Sequence, residues 1–575
     1  MRTLDILVLV ATLGCLVAYG VWKGRGSRNV QGFLLADRRL PWYAVALSIM
    51  ATQASAITFT STPGQAYADG MRFVQYYFGL PIAMVILCVT VVPLYRKLGV
   101  FTAYEFLEHR FDLKTRALTA FLFLVQRGLG AGMTIYAPSL ILSVMLGWDI
   151  RWTSAAIGGA IIIYMTTGGV KAVNWADVQQ LTIIMAGMMV AFLVTFFIIP
   201  DDVGIVDAFR IAGVNGRLNA VDFTFDLSNR YTFWSGLIGG LFIALAYFGT
   251  DQSQVQRYLT GASLTQSRLG LLFNGMAKVP MQFFILLIGV MVFVVYQFER
   301  PPVFFNPVVV EKVRSGPHAD AFAEAERKYA AAHEAQQSSY REFLAARKEG
   351  NAGREEEVRG AIAEQTEMKA SARESARAAI VADDPTVDPN DTNYIFLTYV
   401  LTYLPAGFVG LVFACVFAAS MSSSSGELSS LATCSVVDVY KRLIRREAND
   451  RHILLVSRIA MAGWGVYAIV FSQYAARLGS LIEAVNIIGS LFYGSMLGIF
   501  VVAFFMRSVG GTAVFWSVFA GEAAVFACFL WTDISWLWYN VVGCAVVILM
   551  SLVFQAIEKT KGGPQSPPSL NTTAL

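Results

Sequence analysis

The chain has 575 residues, of which 56% are hydrophobic and only 15% are charged. Soluble globular proteins carry about 25% charged residues, so this composition excludes a series of ordinary water-soluble domains. A formal net charge of +4 gives no indication of nucleic-acid binding. Six cysteines without a Cys-x-x-Cys pair and four histidines argue against a metal centre, a disulfide framework or histidine-based catalysis. We therefore expect a membrane protein that is not an enzyme.

Thirteen apolar stretches approach or exceed the length of about 20 residues that a helix needs to cross a bilayer. The backbone must pair its polar groups internally in lipid, and these runs are too continuous for barrel strands, so we predict helices. The predicted spans are 4–22, 41–67, 74–95, 117–146, 153–168, 178–199, 233–250, 270–297, 407–437, 453–473, 480–505, 512–530 and 535–557.

The first stretch allows a second interpretation, because Leu13-Gly14-Cys15 resembles the end of a cleavable lipoprotein signal. A signal peptide begins with a basic region and is followed by a polar one. Only Arg2 precedes this stretch, and apolar residues continue to Trp22. We therefore expect a retained span.

Basic residues predict the orientation of the spans. Every second loop is rich in Lys and Arg, from Lys23 after the first span to the cluster at 441–451. Short loops of this kind stay in the cytoplasm. We expect a protein of the cytoplasmic membrane with an extracytoplasmic N-terminus and a cytoplasmic, disordered tail at 558–575.

One long segment does not belong to the membrane. Residues 298–393 are rich in charged side chains and separate two membrane parts, 1–297 and 394–557. An Ala/Glu/Arg/Lys-rich stretch at 319–382, interrupted by Asn-Ala-Gly at 351–353, predicts an antiparallel helical hairpin on the outer face.

The apolar stripe of this hairpin is thin. Phe322, Tyr329 and Phe343 fall on one seven-residue repeat, and Gln336 occupies its remaining position. Such a stripe predicts packing against the protein's own loops or against a protein partner. A solvated charged spacer is the alternative.

Two predicted spans contain dense polar tracts. The second reads ATQASAITFTST at 51–62 before Pro63-Gly64, and the ninth reads SMSSSSGE at 420–427. Polar groups inside a membrane mark sites or pathways by default, and local unwinding frees carbonyl oxygens that suit a hard cation. Taken singly, Ser and Thr also serve as small residues at ordinary helix contacts.

Three ionisable residues lie in or beside apolar stretches. Asp177 opens the sixth predicted span, where it is either a helix cap or a ligand near a cation site. Arg127 and Lys278 lie inside apolar runs, so each needs a carboxylate, carbonyl groups or an anionic ligand.

These features resemble the sodium:solute symporter family, whose members carry sugars, proline, sialic acid or monocarboxylates. The resemblance covers about 5–557 apart from the charged segment. It is carried by the tract at 55–64, by GGVKAVNWAD at 168–177, by DQSQVQRYL at 251–259, and by SSSS at 422–425 followed by DVYK at 438–441.

The resemblance implies an all-α polytopic membrane protein with a LeuT-like fold, which contains two inverted five-helix repeats. The repeats would be spans two to six and seven to eleven. Both opening spans look interrupted, the second at its polar tract and the seventh near 244–249, as expected of an inverted-repeat carrier.

The resemblance also implies ligands for Na⁺ and for a solute. The common sodium site would use the carbonyl groups of Ala51, Ala54 and Ala419 and the hydroxyl groups of Ser422 and Ser423. A second sodium site would use Asp177, Ser422 and Ser425, although Gly426 stands where a further serine is expected. The residues expected beside the solute are Gln53, Ser55, Thr58, Tyr77, Arg127, Tyr247 and Lys278.

The sequence thus predicts a carrier in which Na⁺ moving inward drives import of a small polar organic solute by alternating access. The solute is a sugar, an amino acid or an organic acid, and the other partner is the lipid bilayer. A membrane solute sensor with the hairpin as its binding module is the alternative. A channel or an integral membrane enzyme fits the motifs less well.

Overall fold

A computed structural model describes residues 2–24, 30–447, 449–474 and 480–560. Within these ranges the chain forms helices and loops without a strand, and one isolated bridge pairs Leu40 with Gly261. Nine helical stretches there are long and apolar enough to cross a membrane, and three shorter ones are also apolar. The predicted all-α membrane fold is confirmed, whereas the count of thirteen crossings stays a prediction. Most of the predicted disordered tail, 561–575, lies outside the described residues.

The first half of the chain supplies thirteen helices and two three-ten segments, Ala36–Arg38 and Gly70–Tyr77, with a π-helical segment at Ser235–Gly239. The helices are α1 (Thr3–Gly24), α2 (Val30–Leu35), α3 (Trp42–Gln53), α4 (Ala56–Asp69), α5 (Leu80–Val89), α6 (Val91–Leu98), α7 (Ala103–Arg110), α8 (Leu113–Leu146), α9 (Ile150–Ile198), α10 (Ile205–Val214), α11 (Gly240–Gly249), α12 (Gln252–Leu259) and α13 (Leu264–Phe298).

The second half supplies nine further helices, and a π-helical segment at Ser435–Ile444 extends α18. They are α14 (Pro307–Arg314), α15 (Ala319–Lys348), α16 (Ala352–Asp383), α17 (Thr392–Tyr403), α18 (Phe408–Cys434), α19 (Asp450–Ser472), α20 (Leu481–Phe505), α21 (Gly511–Trp531) and α22 (Trp536–Thr560).

Two of the helical crossings are broken, as the sequence predicts. Between α3 and α4 the helix stops at Ala54, and Ser55 is extended with φ −72° and ψ 170°. Between α11 and α12 the break lies at Thr250 and Asp251, just beyond the predicted 244–249. The Asp251 carboxylate then caps α12 by accepting from the backbone N–H of Ser253 at 2.8 Å.

The structure corrects the prediction for residues 153–199. A single helical element, α9, covers both predicted spans, and Asp177 lies inside it instead of at a helix start. The interpretation of Asp177 as a helix cap is therefore wrong. An element of 49 residues is longer than one crossing needs, so the reversal between the two predicted spans takes place within this helical element.

Both ends of α9 contact the same end of the helix bundle. Near its start, Gly158 faces Ile469 at the end of α19. Near its end, the carbonyl of Ala191 accepts a hydrogen bond from the hydroxyl of Tyr399 on α17, at 3.3 Å. A straight helix of 49 residues would extend about 74 Å, over twice the hydrocarbon core. The chain therefore enters and leaves by the same side over this element, as two crossings require.

Burial separates central from peripheral crossings. The most apolar window of α18, with the π-helical segment that follows it, is 83% buried and that of α13 is 72% buried, whereas α19 is 28% buried. Peripheral helices expose large apolar side chains such as Ile459 and Trp516, which suits contact with lipid tails. Central helices approach closely through small residues, since a Cβ on Gly289 would lie 2.1 Å from the carbonyl oxygen of Pro63.

Residues 298–393 contain the expected hairpin of α15 and α16. The turn falls at 349–351, slightly before the predicted 351–353, because Gly350 adopts a φ of +71° that ends α15. Asn351 then caps α16, its Oδ1 accepting from the backbone N–H of Arg354 at 3.1 Å.

The hairpin is docked on the membrane part, as one of the predicted alternatives stated. Gln337 donates to the carbonyl of Phe298 at 2.9 Å, and the hydroxyl of Tyr340 donates to Asn215 at 2.9 Å. Gln336 is buried and donates to the hydroxyl of Thr366 at 2.7 Å. The stripe is therefore continued by a satisfied polar residue, and a fully solvated spacer does not describe this segment.

A buried ion pair fixes the base of the hairpin. Arg373 on α16 donates to Oδ1 of Asp391 at 2.6 Å, and Oδ2 of Asp391 accepts from the backbone N–H of Phe305 at 2.7 Å. The Asp391 side chain is fully buried. Nη2 of Arg377 lies 3.4 Å from the same Oδ1, so two arginines of α16 hold it to the start of α17.

Candidate sodium and solute site

The break between α3 and α4 meets the serine tract of α18. The hydroxyl of Ser423 donates to the carbonyl oxygen of Thr52 at 3.2 Å and lies 3.0 Å from that of Ala419. The predicted carbonyl ligands Ala51, Ala54 and Ala419 are all fully buried. The structure thus brings Ala419 and Ser423 to the helix break, where carbonyl and hydroxyl oxygens suit a weakly held monovalent cation.

Ser422 points away from that break. Its hydroxyl donates to Oδ1 of Asp177 at 2.5 Å, and Oδ2 of Asp177 accepts from the hydroxyl of Ser48 at 2.6 Å. Ser425 donates instead to a carbonyl of its own helix, that of Ser422, at 2.8 Å. Of the set predicted for a second ion, Asp177 and Ser422 come together and the Ser425 hydroxyl is engaged elsewhere.

An arginine accompanies Asp177. Nη1 of Arg257 lies 3.5 Å from Oδ2 of Asp177 and donates to Oδ1 of Asn174 at 2.5 Å. A Cβ on Gly426 would stand 2.7 Å from Nη2 of Arg257, closer than side-chain atoms pack. The glycine therefore makes room for the guanidinium, whose charge neutralises the buried carboxylate.

Beside the break lies a cavity with about 90 Å³ of free space. Six residues predicted for the solute line it, namely Gln53, Ser55, Thr58, Tyr77, Arg127 and Tyr247. Lys278 does not line it, although its Nζ lies 5.7 Å from the centre of the Tyr77 ring. The helix break, Ser423 of the serine tract and six of the seven predicted solute residues thus line the same cavity.

Arg127 is held by two carboxylates, as a charge inside an apolar run requires. Its Nη2 donates to Oδ2 of Asp251, and its Nη1 donates to Oε1 of Glu427 at 3.1 Å. The hydroxyl of Tyr493 donates to the same Asp251 oxygen at 2.7 Å. The Tyr247 ring stacks beneath the guanidinium at 5.4 Å. Arg127 thereby joins α8 to α18, to α20 and to the break before α12.

Glu427 and Gln126 are two of the polar cavity residues that the sequence analysis did not assign to the site. Both line the cavity and are buried, 6% and 3% exposed respectively. The sequence does contain a signal for both, because polar residues inside apolar spans mark functional sites. Glu427 is a carboxylate inside the ninth apolar stretch, and Gln126 directly precedes Arg127. The partnership of Arg127 with Asp251, 124 residues away, leaves no mark in a single sequence.

Comparison with known proteins shows the family. A model of the sodium:solute symporter family matches residues 33–319 and 376–521, so the unmatched stretch between them falls in the hairpin. Sodium-coupled monocarboxylate transporter 1 of Homo sapiens is 27% identical over 533 residues, which cover 92% of this chain and 72% of that protein. The sodium/sialic acid symporter NanT of Aliivibrio fischeri (strain ATCC 700601 / ES114) is 24% identical over 586 residues, covering 99% and 96% of the two chains.

A solved structure of a Na⁺-coupled sialic acid symporter, substrate-bound and outward-open, has the same fold. It superposes with a TM-score of 0.74 at 22% sequence identity and covers 97% of this chain and 98% of the other. The LeuT-like fold that the family resemblance implied is thereby confirmed.

Proposed function

This chain belongs to the sodium:solute symporter family, and we propose that it imports a small polar organic solute by alternating access, driven by inward movement of Na⁺. The relatives named above are sodium-coupled carriers of a monocarboxylate and of sialic acid. The observation that carries the proposal is the helix break at Ala54 and Ser55, which faces the Ser423 hydroxyl at the edge of a buried polar cavity.

Sodium binds at the break in this proposal. Carbonyl oxygens of Ala51, Ala54 and Ala419 and the hydroxyl of Ser423 supply ligands, while Ser422 rotates from Asp177 to complete the set. An ion held by both α3 and α18 braces these helices against each other. The conformation in which α3 and α18 both reach the ion binds Na⁺ more tightly than the conformation in which they are apart. This difference in Na⁺ affinity between the two conformations couples the ion to the solute.

No second sodium ion binds at Asp177 in this proposal. Arg257 already supplies a positive charge 3.5 Å from that carboxylate, and Gly426 gives the arginine its space. Asp177 then acts as a structural latch between Ser48 and Arg257, and it holds Ser422 until Na⁺ binds. A cation added there would meet the guanidinium at short range, where like charges repel strongly.

The solute occupies the cavity lined by Gln53, Ser55 and Thr58 on one side and Arg127 on the other. Free space of about 90 Å³ suits a solute of a few heavy atoms. Tyr247 forms the floor beneath Arg127, and Lys278 lies behind Tyr77, from where a rotation of that ring would expose its ammonium group to the solute.

The protein is a multi-pass membrane protein, and the loop charges support an extracytoplasmic N-terminus with the hairpin on the same outer face. Segments 1–297 and 394–557 then form one transport unit. The hairpin, docked at Phe298 and Asp391, covers the outer ends of the crossings beside it.

The test is uptake into proteoliposomes under an inward Na⁺ gradient, compared with an equal K⁺ gradient, for a panel of sugars, amino acids and organic acids. Ser423→Ala should raise the Na⁺ concentration for half-maximal uptake about tenfold, because an oxygen ligand worth about 1–3 kcal/mol is lost. Ser430→Ala is the matched control, since that buried hydroxyl bonds only to its own helix, at the carbonyl of Glu427. Wild-type binding of solute without sodium-driven uptake would refute symport and favour the solute sensor.

A further inference from the structure

Beside the solute cavity, two carboxylates share one guanidinium, so negative charge exceeds positive charge there. Asp251 alone neutralises Arg127, and its other oxygen is saturated by the backbone N–H and hydroxyl of Ser253 at 2.8 and 2.6 Å. Glu427 is therefore a second carboxylate on one guanidinium. Its Oε2 accepts from the hydroxyl of Thr134 at 2.8 Å, a neutral donor, so Arg127 with its two carboxylates carries one net negative charge. A buried charge of this kind is costly unless a positive group joins it.

Unpartnered acceptors face the same cavity. Gln126 is 3% exposed, and within the described part of the chain its Oε1 accepts no hydrogen bond. The Oε1 atom of Gln53 lacks a partner in the same way, and both side chains line the cavity with Glu427. Buried acceptors without donors each cost about 1–3 kcal/mol, so the site is incomplete without a ligand rich in donors or positive charge.

Aromatic rings complete the surroundings. Tyr76, Tyr77 and Tyr247 line the cavity, and ring faces attract cations. Lys278 does not line the cavity, and its Nζ lies 5.7 Å from the centre of the Tyr77 ring. The cavity thus offers a carboxylate, two amide oxygens and aromatic walls.

We propose that Glu427, Gln126 and Gln53 bind a monovalent cationic group inside the solute cavity, either the ammonium group of the solute or a free cation. The inference rests on the transport function proposed above and adds that a positive charge is bound in the cavity together with, or as part of, the solute. An ammonium group has three N–H donors, which match one carboxylate oxygen and two amide oxygens. A free alkali ion would take the same oxygens as ligands.

The experiment compares L-alanine with L-lactate, which differ by an ammonium group in place of a hydroxyl group. Binding to the full chain in lipid nanodiscs is measured by calorimetry at saturating Na⁺, and Na⁺ is also titrated without solute. If the solute supplies the cation, wild type binds L-alanine at least tenfold more tightly than L-lactate, and Glu427→Gln abolishes this preference. If a free ion fills the site, wild type shows one more Na⁺-binding event than Glu427→Gln.

Glu522→Gln on α21 is the control, because Glu522 is a membrane-embedded carboxylate that does not line the cavity. Gln126→Met, which keeps the side-chain length and removes the unpartnered oxygen, tests the site should Glu427→Gln fold poorly. Unchanged alanine preference and unchanged Na⁺ binding in both cavity variants overturn the inference, even where sodium-driven uptake is normal. Absent uptake with Glu427-dependent cation binding would instead refute the proposed transport function.

Discussion

Replacing Gly426 by serine tests whether Arg257 stands in for a second sodium ion. The new Cβ would lie 2.7 Å from Nη2 of Arg257 and 2.9 Å from Cγ2 of Thr52. Ordinary contacts begin near 3.4 Å, so the guanidinium must retreat by about 0.7 Å. The serine hydroxyl would then join Asp177 and Ser422 in the space that the guanidinium leaves.

The energetic consequence follows from the ion-pair distance. Moving Nη1 of Arg257 from 3.5 Å to about 4.2 Å from Asp177 weakens the attraction by about 0.8 kcal/mol at an effective dielectric constant of about 20. Strain from the added atoms costs about 1–3 kcal/mol more. We expect Gly426→Ser to fold with lowered stability and to leave Asp177 partly unpaired.

Sodium activation of uptake is the assay. Gly426→Ser should raise the Hill slope for Na⁺ by about one relative to wild type, because a carboxylate and an additional hydroxyl become available together. Gly426→Ala adds the same Cβ without the oxygen, so it should lower stability equally and leave the slope unchanged. Asp177→Asn should leave the wild-type slope unchanged and cancel the gain in the Gly426→Ser background.

Equal Hill slopes in Gly426→Ser and Gly426→Ala would refute the reasoning, since the hydroxyl would then contribute nothing. A lower slope in Asp177→Asn than in wild type would also refute it. That result would show that Asp177 already serves an ion beside Arg257.

Two predictions concern the hairpin. Replacing both Arg373 and Arg377 by alanine should lower the free energy of unfolding by about 3–5 kcal/mol, because Asp391 is then left buried and unpaired. Arg354→Ala at an exposed pair should change the melting temperature little. Burial lowers the pKa of Lys369, which donates to Gln336, from 10.5 to about 7. The folded protein then binds fewer protons than the unfolded chain between about pH 7 and 10.5, so stability should rise with pH in that window. Lys369→Met should remove that rise in melting temperature, and a parallel pH profile in the variant would contradict the assignment.

The helices and their breaks could be predicted because the bilayer imposes strong rules. Apolar length fixes most crossings, and polar tracts at 51–62 and 420–427 are expensive enough in lipid to require a reason. The helical conformation of 169–177, between the fifth and sixth predicted spans, escaped prediction because apolar length marks the crossings and not the conformation of the segment that joins them.

The side-chain partners within the site could not be predicted. A serine tract of four consecutive residues points in all directions around a helix, so the sequence cannot say that Ser423 faces the break while Ser422 faces Asp177. Pairs such as Arg257 with Asp177 join distant parts of the chain. Their geometry depends on packing details, including the absent side chain at Gly426.

The two buried arginines of the site have opposite consequences for the cargo. Arg257 leaves the Asp177 carboxylate without need of an ion, whereas Arg127 has one carboxylate too many and leaves Glu427 in need of a cation. A zwitterionic solute with one Na⁺ would satisfy Glu427 and move one net positive charge per solute. A monocarboxylate with two Na⁺, one of them at Glu427, would move the same net charge. Current per solute therefore cannot separate the two cases, and the ratio of Na⁺ to solute, one against two, is the quantity that distinguishes them.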